Sequence, residues 1–161
     1  MVDKDYAQQI FCAIDTGDLD HAKALTFAIT GWVGGIKAGF EFFSAHGPAG
    51  VRELKQTGLP IFLDLKLFDI PNTVAGAISA SAACQPAMIT LHASGGRAMM
   101  RAAVEANRRV TEELAQVRPL LLGVTVLTSF DQNELNEIGV NSSVGDQVLR
   151  LAELAQASGL D

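Results

Sequence analysis

Residues 59–69 read LPIFLDLKLFD, an apolar run that ends in three charged side chains. Side chains two residues apart on a β-strand share a face, so Asp64 and Lys66 should point the same way. Because a buried charge is costly unless it is paired, a strand with only a structural role is not expected to carry this pattern. The stretch predicts either a salt bridge at a strand end or a catalytic lysine held between carboxylates.

Short apolar runs alternate with longer helical patterns on both sides of this stretch. Strands separated by helices are typical of parallel βαβ units, whose right-handed crossovers leave two architectures, a doubly wound open sheet or a (β/α) barrel. The predicted strands span residues 10–14, 35–39, 60–65, 87–91 and 120–126. The predicted helices span residues 19–30, 48–57, 71–83, 97–115, 131–138 and 144–157.

The number of predicted strands limits the barrel interpretation. A closed barrel has eight strands and usually about 250 residues, whereas this chain of 161 residues has about five predicted strands. Gly159-Leu160-Asp161 resembles the approach to a sixth strand. We expect one α/β domain over residues 1–161, either an open sheet or an incomplete TIM-type barrel of about five β/α units that ends before strand six.

Composition and charge exclude several classes of function. The net charge of −6 argues against a surface for nucleic acid or an anionic membrane. Cys12 and Cys84 cannot form a disulfide framework or a zinc site of the usual spacing. Residues 1–5, MVDKD, precede no hydrophobic signal core, and no apolar run approaches the length of a membrane span. We therefore expect a cytoplasmic enzyme or binding domain.

Unusual polar residues lie where the predicted strands end, which is where parallel α/β proteins bind their ligands. These residues are Asp15, Lys37, Asp64, Lys66, Asp69, His92, Thr128 and Ser129. The first four end three consecutive strands, so we expect one network of alternating charges that keeps both lysines protonated. A protonated lysine can donate a proton and bind an anion. Asp69 lies beyond its strand and could instead project across a subunit interface.

A resemblance to a known family rests on five segments in order along the chain. Residues 64–73, DLKLFDIPNT, resemble the signature of orotidine 5′-phosphate decarboxylase. Four further segments agree with that family: AID at 13–15, IKAGFEFF at 36–43, HASGG at 92–96 and TVLTS at 125–129. The resemblance covers the whole chain and implies a TIM-type barrel.

The Asp-x-Lys-x-x-Asp pattern is shared with a second group of barrels. The magnesium-dependent keto-gulonate-phosphate decarboxylases and hexulose-phosphate synthases carry it too, but their second strand ends in a Glu-bearing segment where this chain has Lys37. Lys37 and the continuation Ile70-Pro71-Asn72-Thr73 favour the pyrimidine enzyme, which uses neither a metal nor a cofactor.

The resemblance implies the conversion of orotidine 5′-monophosphate to uridine 5′-monophosphate and carbon dioxide. Lys66 would stabilise the carbanion at C6 and then protonate it, while Asp64 would sit near the departing carboxylate and hold Lys66. Lys37 and Asp15 would contact the ribose hydroxyls. The remaining implied site residues would line the apolar side of the pocket or meet the pyrimidine: Ile70, Thr128 and Ser129.

The resemblance also implies a homodimer, because Asp69 and Thr73 match residues that reach the neighbouring subunit's site. No residues match the family's phosphate-binding loops, which follow the last strands of its barrel. Since phosphate contacts supply binding energy used in the transition state, this chain alone should be a poor catalyst. Two alternatives stay open: a non-catalytic fragment or interaction module of the same fold, and the magnesium-dependent sugar-phosphate enzyme.

Overall fold

Five parallel strands form a single sheet in the computed structural model, in the order β1-β2-β3-β4-β5. The structure describes residues 4–161, with side chains from residue 6 onward; the predicted absence of a signal core concerns residues 1–5, which lie largely outside that range. The strands are β1 (Phe11–Ile14), β2 (Gly35–Gly39), β3 (Ile61–Leu67), β4 (Met88–His92) and β5 (Leu120–Val124).

The strand order decides between the two predicted architectures. Each strand pairs in parallel with the next one along the chain, whereas a doubly wound sheet reverses its order at a switch point. A sequential parallel order is that of a barrel wall. The prediction of an incomplete (β/α) barrel with five β/α units is therefore confirmed, and within the described residues β1 and β5 each pair with a single neighbouring strand.

Seven helices accompany the strands in the described part of the chain. They are α1 (Lys4–Ala7), α2 (Leu19–Ile29), α3 (Phe40–Lys55), α4 (Pro71–Ser81), α5 (Gly96–Glu113), α6 (Gln132–Glu137) and α7 (Val144–Ala157). The predicted N-cap of α2 is confirmed, since the Asp18 carboxylate accepts the His21 N–H at 2.8 Å. No helix among residues 4–161 is long and apolar enough to cross a membrane.

Two predicted boundaries are wrong near the charged stretch. The second predicted helix begins at Phe40 instead of residue 48, because a first helical segment buries Phe42 before the chain breaks at Gly47 (φ 57°) and Pro48 restarts the helix. The third strand continues through Leu67 instead of ending at residue 65. Lys66 therefore lies within the strand, where its backbone can be held by β4.

The sheet has two faces of different character. Alternate residues of neighbouring strands, Ile36, Leu63, Ile89 and Leu121, are fully buried in the hydrophobic core. Helix side chains such as Phe42 belong to the same core. The residues between them on each strand point to the opposite face, and this second face, named here the inner face, carries the charged side chains.

Candidate active site

An ion triplet lies at the carboxyl ends of β2 and β3. The Asp64 carboxylate accepts from the Lys66 ammonium at 2.9 Å through both of its oxygens, and from the Lys37 ammonium at 3.3 Å through Oδ2. Lys37 pairs with Phe62 in the parallel register, two residues before Asp64 on the same face. Strand register and side-chain alternation together therefore bring the two lysines to one carboxylate.

The Asp64 carboxylate is nearly buried, with 9% of the residue exposed. Burial acts to raise its pKa, but hydrogen bonds from Lys66, Thr90 and Lys37, together with the charge of Lys66, outweigh burial and hold the pKa below its ordinary value. The Thr90 hydroxyl lies 3.0 Å from Asp64 Oδ1. Asp64 is therefore an anion at neutral pH, and it lies within ion-pair distance of two ammonium groups.

The backbone at Lys66 departs from regular strand geometry. Leu63 pairs with Ile89 and Leu67 pairs with Leu91, so three residues of β3 lie opposite Thr90 alone. Lys66 sits in this bulge with a φ of +50°, a left-handed conformation uncommon for residues other than glycine. Bulges re-aim side chains and are frequent next to active sites. The bulge gives Lys66 its direction over the strand ends.

Asp15 is predicted to belong to the charge network, but the structure places it outside the network. It is exposed beyond the end of β1, and no lysine or arginine side chain that the structure describes lies within ion-pair distance of its carboxylate. The predicted four-residue network is therefore an ion triplet in this structure. Asp15 remains on the same edge of the sheet, next to the end of β2 at Gly39.

A cavity of about 500 Å³ opens beside Lys66. Asp69 and Thr73 line it together with Lys66, although Asp69 forms no ion pair with Lys66 and instead accepts the Ile70 N–H at 2.6 Å. Ile70 is 66% exposed, and the rings of Phe40 and Phe68 on the cavity wall are also largely exposed. The cavity is thus a wide, mostly apolar opening with Lys66 and Asp69 among its lining residues, whereas Asp64 and Lys37 do not line it.

Thr128 and Ser129 lie apart from the ion triplet. Strand β5 ends at Val124, two residues earlier than predicted, and both side chains are exposed in a turn closed by the Phe130 N–H on the Leu127 carbonyl at 3.0 Å. No described contact joins either of them to the triplet. Their predicted roles toward a ligand stay predictions.

Two further residues belong to this edge of the sheet. The His92 ring contacts Phe68 edge-to-face, with centroids 5.7 Å apart, and burial followed by the charge of Lys66 lowers the pKa of His92, which favours the neutral ring. Sequence reasoning placed His92 at a strand end but missed Thr90. The available signal for Thr90 was a hydroxyl within the apolar run MITL at residues 88–91.

The site's chemistry follows from its charges. A protonated lysine in contact with an ionised carboxylate can stabilise developing negative charge and return a proton. Among residues 4–161, no group of three or more His, Cys, Asp or Glu side chains is arranged to hold a metal ion.

Comparison with known proteins identifies relatives over nearly the whole chain. The profile of the orotidine 5′-phosphate decarboxylase / HUMPS family matches residues 8–161. The orotidine 5′-phosphate decarboxylase of Novosphingobium aromaticivorans is 51% identical over 152 residues, which are 94% of this chain and 64% of the relative. The chain thus spans a little under two thirds of that relative's length.

Solved structures agree with this assignment of the fold. An uncharacterized conserved protein from Geobacillus kaustophilus superposes with a TM-score of 0.87 at 37% identity, over 94% of this chain and 70% of the other. The orotidine 5′-phosphate decarboxylase of Lactobacillus acidophilus superposes with a TM-score of 0.82 at 35% identity, over 94% and 68% of the two chains.

Protonation of Asp64 should make the stability of this protein depend on pH. Because the folded pKa lies below that of the unfolded chain, Asp64 contributes stability above the unfolded pKa of about 3.9, and this contribution is lost as the pH falls through the folded pKa. The difference in unfolding free energy between wild type and Asp64→Asn should therefore shrink from about pH 6 to pH 2. Urea denaturation at several pH values measures it.

The exposed carboxylate of Glu112 provides the control for this titration. Glu112→Gln should leave the slope of stability against pH close to that of wild type. A constant difference between wild type and Asp64→Asn across the same pH range would contradict the ion triplet.

Proposed function

Because the chain belongs to the orotidine 5′-phosphate decarboxylase / HUMPS family, we propose that its ion triplet converts orotidine 5′-monophosphate to uridine 5′-monophosphate and carbon dioxide, in pyrimidine biosynthesis. The supporting observation is the Lys66 ammonium held 2.9 Å from both oxygens of Asp64 at the carboxyl ends of β2 and β3. The reaction and its substrate are those named by relatives of greater length.

Loss of the carboxylate leaves an electron pair at C6 in the plane of the pyrimidine ring. No π-system can delocalise that charge, so a fixed positive group must stabilise it electrostatically. Lys66 is proposed to supply this group and then to protonate C6, which completes uridine 5′-monophosphate. Asp64 holds the Lys66 ammonium in place while its own negative charge faces the departing carboxylate, and neither a metal nor a cofactor takes part.

The other site residues would bind the substrate. Lys37 and Asp15 are proposed to contact the ribose hydroxyls, a role supported by their shared position at the strand ends. Ile70 would cover the apolar side of the pyrimidine. Thr128 and Ser129, in the turn after β5, would meet the base. In this proposal, the phosphate contacts come from residues outside these five strands.

The proposed enzyme is a cytoplasmic homodimer whose subunits share their sites. Asp69 and Thr73 would reach the neighbouring subunit's site, and both are exposed at the mouth of the cavity. Phe40, Phe68 and Ile70 expose 68%, 61% and 66% of their surface around them. An exposed apolar patch with a polar rim is typical of a protein interface.

A magnesium-dependent sugar-phosphate enzyme is the second candidate, because the matching family profile includes that group. Against it, the Lys37 ammonium lies 3.3 Å from Asp64 Oδ2, where a divalent cation would need the carboxylate. Chelation would abolish activity of such an enzyme and leave the proposed decarboxylase unaffected.

A non-catalytic module is the other alternative. Such a module would show no thermal stabilisation by near-saturating uridine 5′-monophosphate, whereas a protein with a binding site for this nucleotide would be stabilised.

Replacement of Lys66 by alanine in the complete protein should abolish decarboxylation and preserve the fold. Loss of a preorganised charge at the reacting atom typically costs about a hundredfold to a thousandfold in kcat, and loss of the proton donor adds to that. Turnover of orotidine 5′-monophosphate, measured from the change in its ultraviolet absorbance, checks the rate. Circular dichroism checks the fold.

Lys23→Ala is the matched control for Lys66→Ala. Lys23 also forms one ion pair, 3.0 Å from Glu53, but lies on α2 far along the chain from the triplet. It should retain wild-type turnover. Undiminished turnover in Lys66→Ala would contradict the assignment of the proton donor.

A mixed dimer of two inactive variants should recover activity. If Asp69 serves the neighbouring site, a Lys66→Ala subunit paired with an Asp69→Ala subunit forms one site with both residues intact. Statistical mixing of a two-fold dimer then restores about a quarter of wild-type turnover. Each variant is denatured, mixed with the other and refolded, and turnover is compared with that of either variant refolded alone.

Two controls make the mixing experiment decisive. A mixture of Lys66→Ala with Asp64→Ala should stay inactive, because both residues belong to the same subunit's site. Absence of recovery in the Lys66→Ala and Asp69→Ala mixture, with mixed dimers present by mass spectrometry of tagged subunits, would show that Asp69 acts within its own subunit.

A further inference from the structure

Thr90, in the middle of β4, makes contacts that the proposed chemistry does not use directly. It is 5% exposed and lies between Ile89 and Leu91, which are both fully buried. Its Oγ1 atom is 3.0 Å from Asp64 Oδ1 and 2.9 Å from the backbone nitrogen of Lys66. One hydroxyl therefore touches both members of the closest ion pair in the site.

The direction of the two hydrogen bonds follows from the donors present. A backbone N–H can only donate, so the Thr90 oxygen accepts from Lys66. The single hydroxyl proton of Thr90 is then directed to Asp64, which as an anion can only accept. The Thr90 hydroxyl therefore acts once as an acceptor and once as a donor, and neither hydrogen bond can run in the opposite direction.

The hydroxyl also lies where the ladder between β3 and β4 is interrupted. Three residues of β3 face Thr90 alone, and Lys66 within them has a φ of +50°. A left-handed backbone at a non-glycine residue is strained and persists only where its surroundings stabilise it. The hydrogen bond from the Lys66 N–H to the Thr90 hydroxyl can stabilise this backbone conformation of Lys66.

From these contacts we infer that Thr90 is a positioning residue, which fixes the Lys66 backbone and the Asp64 carboxylate in one geometry so that the Lys66 ammonium meets the reacting carbon. The inference deepens the proposed function and rests on it for its catalytic consequence. Its structural part, the coupling of Asp64 and Lys66 through one hydroxyl, stands independently of any turnover.

Loss of the hydroxyl should act on the chemical step more than on substrate binding. Thr90→Val keeps the branched shape but removes the donor and the acceptor, so Asp64 loses a hydrogen bond and the Lys66 N–H loses its partner. A reacting group displaced by about 1 Å can lose about a hundredfold in rate. We expect kcat to fall by about that factor in Thr90→Val, with KM little changed.

Two variants separate the hydroxyl from the shape of the side chain. Thr90→Ser retains the hydroxyl and should recover most of the wild-type kcat. Thr26→Val removes another buried hydroxyl, one that donates to the Ala22 carbonyl at 2.8 Å within α2, and should leave both constants unchanged. Where Thr90→Val fails to fold, Thr90→Ala replaces it in the same comparison.

A second readout does not need turnover. The side-chain carboxyl of Asp64 is followed by carbon-13 NMR during an acid titration of the 161-residue chain, with Asp64→Asn identifying the signal. Loss of the Thr90 hydrogen bond should move the pKa of Asp64 upward in Thr90→Val, and Thr90→Ser should restore it. Thr26→Val should match wild type.

The two readouts distinguish failure of the inference from failure of the proposed function. Absence of turnover in the complete wild-type protein, together with an Asp64 titration that moves in Thr90→Val and returns in Thr90→Ser, would reject the proposed function and retain the coupling. A Thr90→Val variant with the wild-type kcat and the wild-type titration of Asp64 would overturn the positioning role. Equal losses in Thr90→Ser and Thr90→Val would overturn it as well, because they would assign the effect to packing.

Discussion

The Asp64 carboxylate, held between Lys37 and Lys66 at 9% exposure, is the interaction on which the site depends. Removing an ionised carboxylate from water is costly unless it is paired and hydrogen-bonded. Here the donors come from three neighbouring strands, β2, β3 and β4. Only a sheet with these strands side by side and in parallel can bring all three to one carboxylate, so the strand order is a condition of the site.

The two faces of the sheet have different roles: one packs in the hydrophobic core and stabilises the fold, and the other carries the candidate site. One face is apolar and buried in the hydrophobic core, and residues such as Leu63 and Ile89 on it are fully buried. The inner face carries the ion triplet, and the two sets of residues alternate along every strand. Changes of charge on the inner face can therefore be made without disturbing the packing on the other face.

The sequence is sufficient to predict the five strands, every helix except α1, though not all of their boundaries, and the pairing of Asp64 with Lys66. Alternation along one strand predicts that pairing, although in the structure a bulge directs the Lys66 side chain. The order of elements along the chain restricts the architecture to two choices. The strand ends also predict that Lys37 joins this network, and the register between β2 and β3 then identifies Asp64 as its partner. The strand order, which rules out the doubly wound sheet, likewise depends on pairing between distant segments.

Three features of the site could not be predicted because each depends on pairing or packing across strands. The bulge at Lys66 arises from a mismatch of lengths between β3 and β4, so β3 alone gives no sign of it. In the sequence, Thr90 is a hydroxyl-bearing residue in an apolar strand, and nothing there indicates its contacts with Asp64 and Lys66. Asp15 was expected in the charge network from its place at a strand end, but strand ends at one edge of a sheet need not lie within ion-pair distance.

The charges of the ion triplet also limit what it can bind unaided. Two ammonium groups and one carboxylate carry a net charge of +1 in a chain whose overall net charge is −6. The carboxylates of Asp15 and Asp69 lie on the same edge of the sheet and further reduce the positive potential. With Asp15 and Asp69 included, this edge has no surplus of positive charge, so Lys66 can stabilise a developing carbanion only by direct contact, and a phosphate group requires further donors. The electrostatics of this edge thus suit the reacting end of a nucleotide, and they support the proposal that the other end is bound by residues outside these five strands.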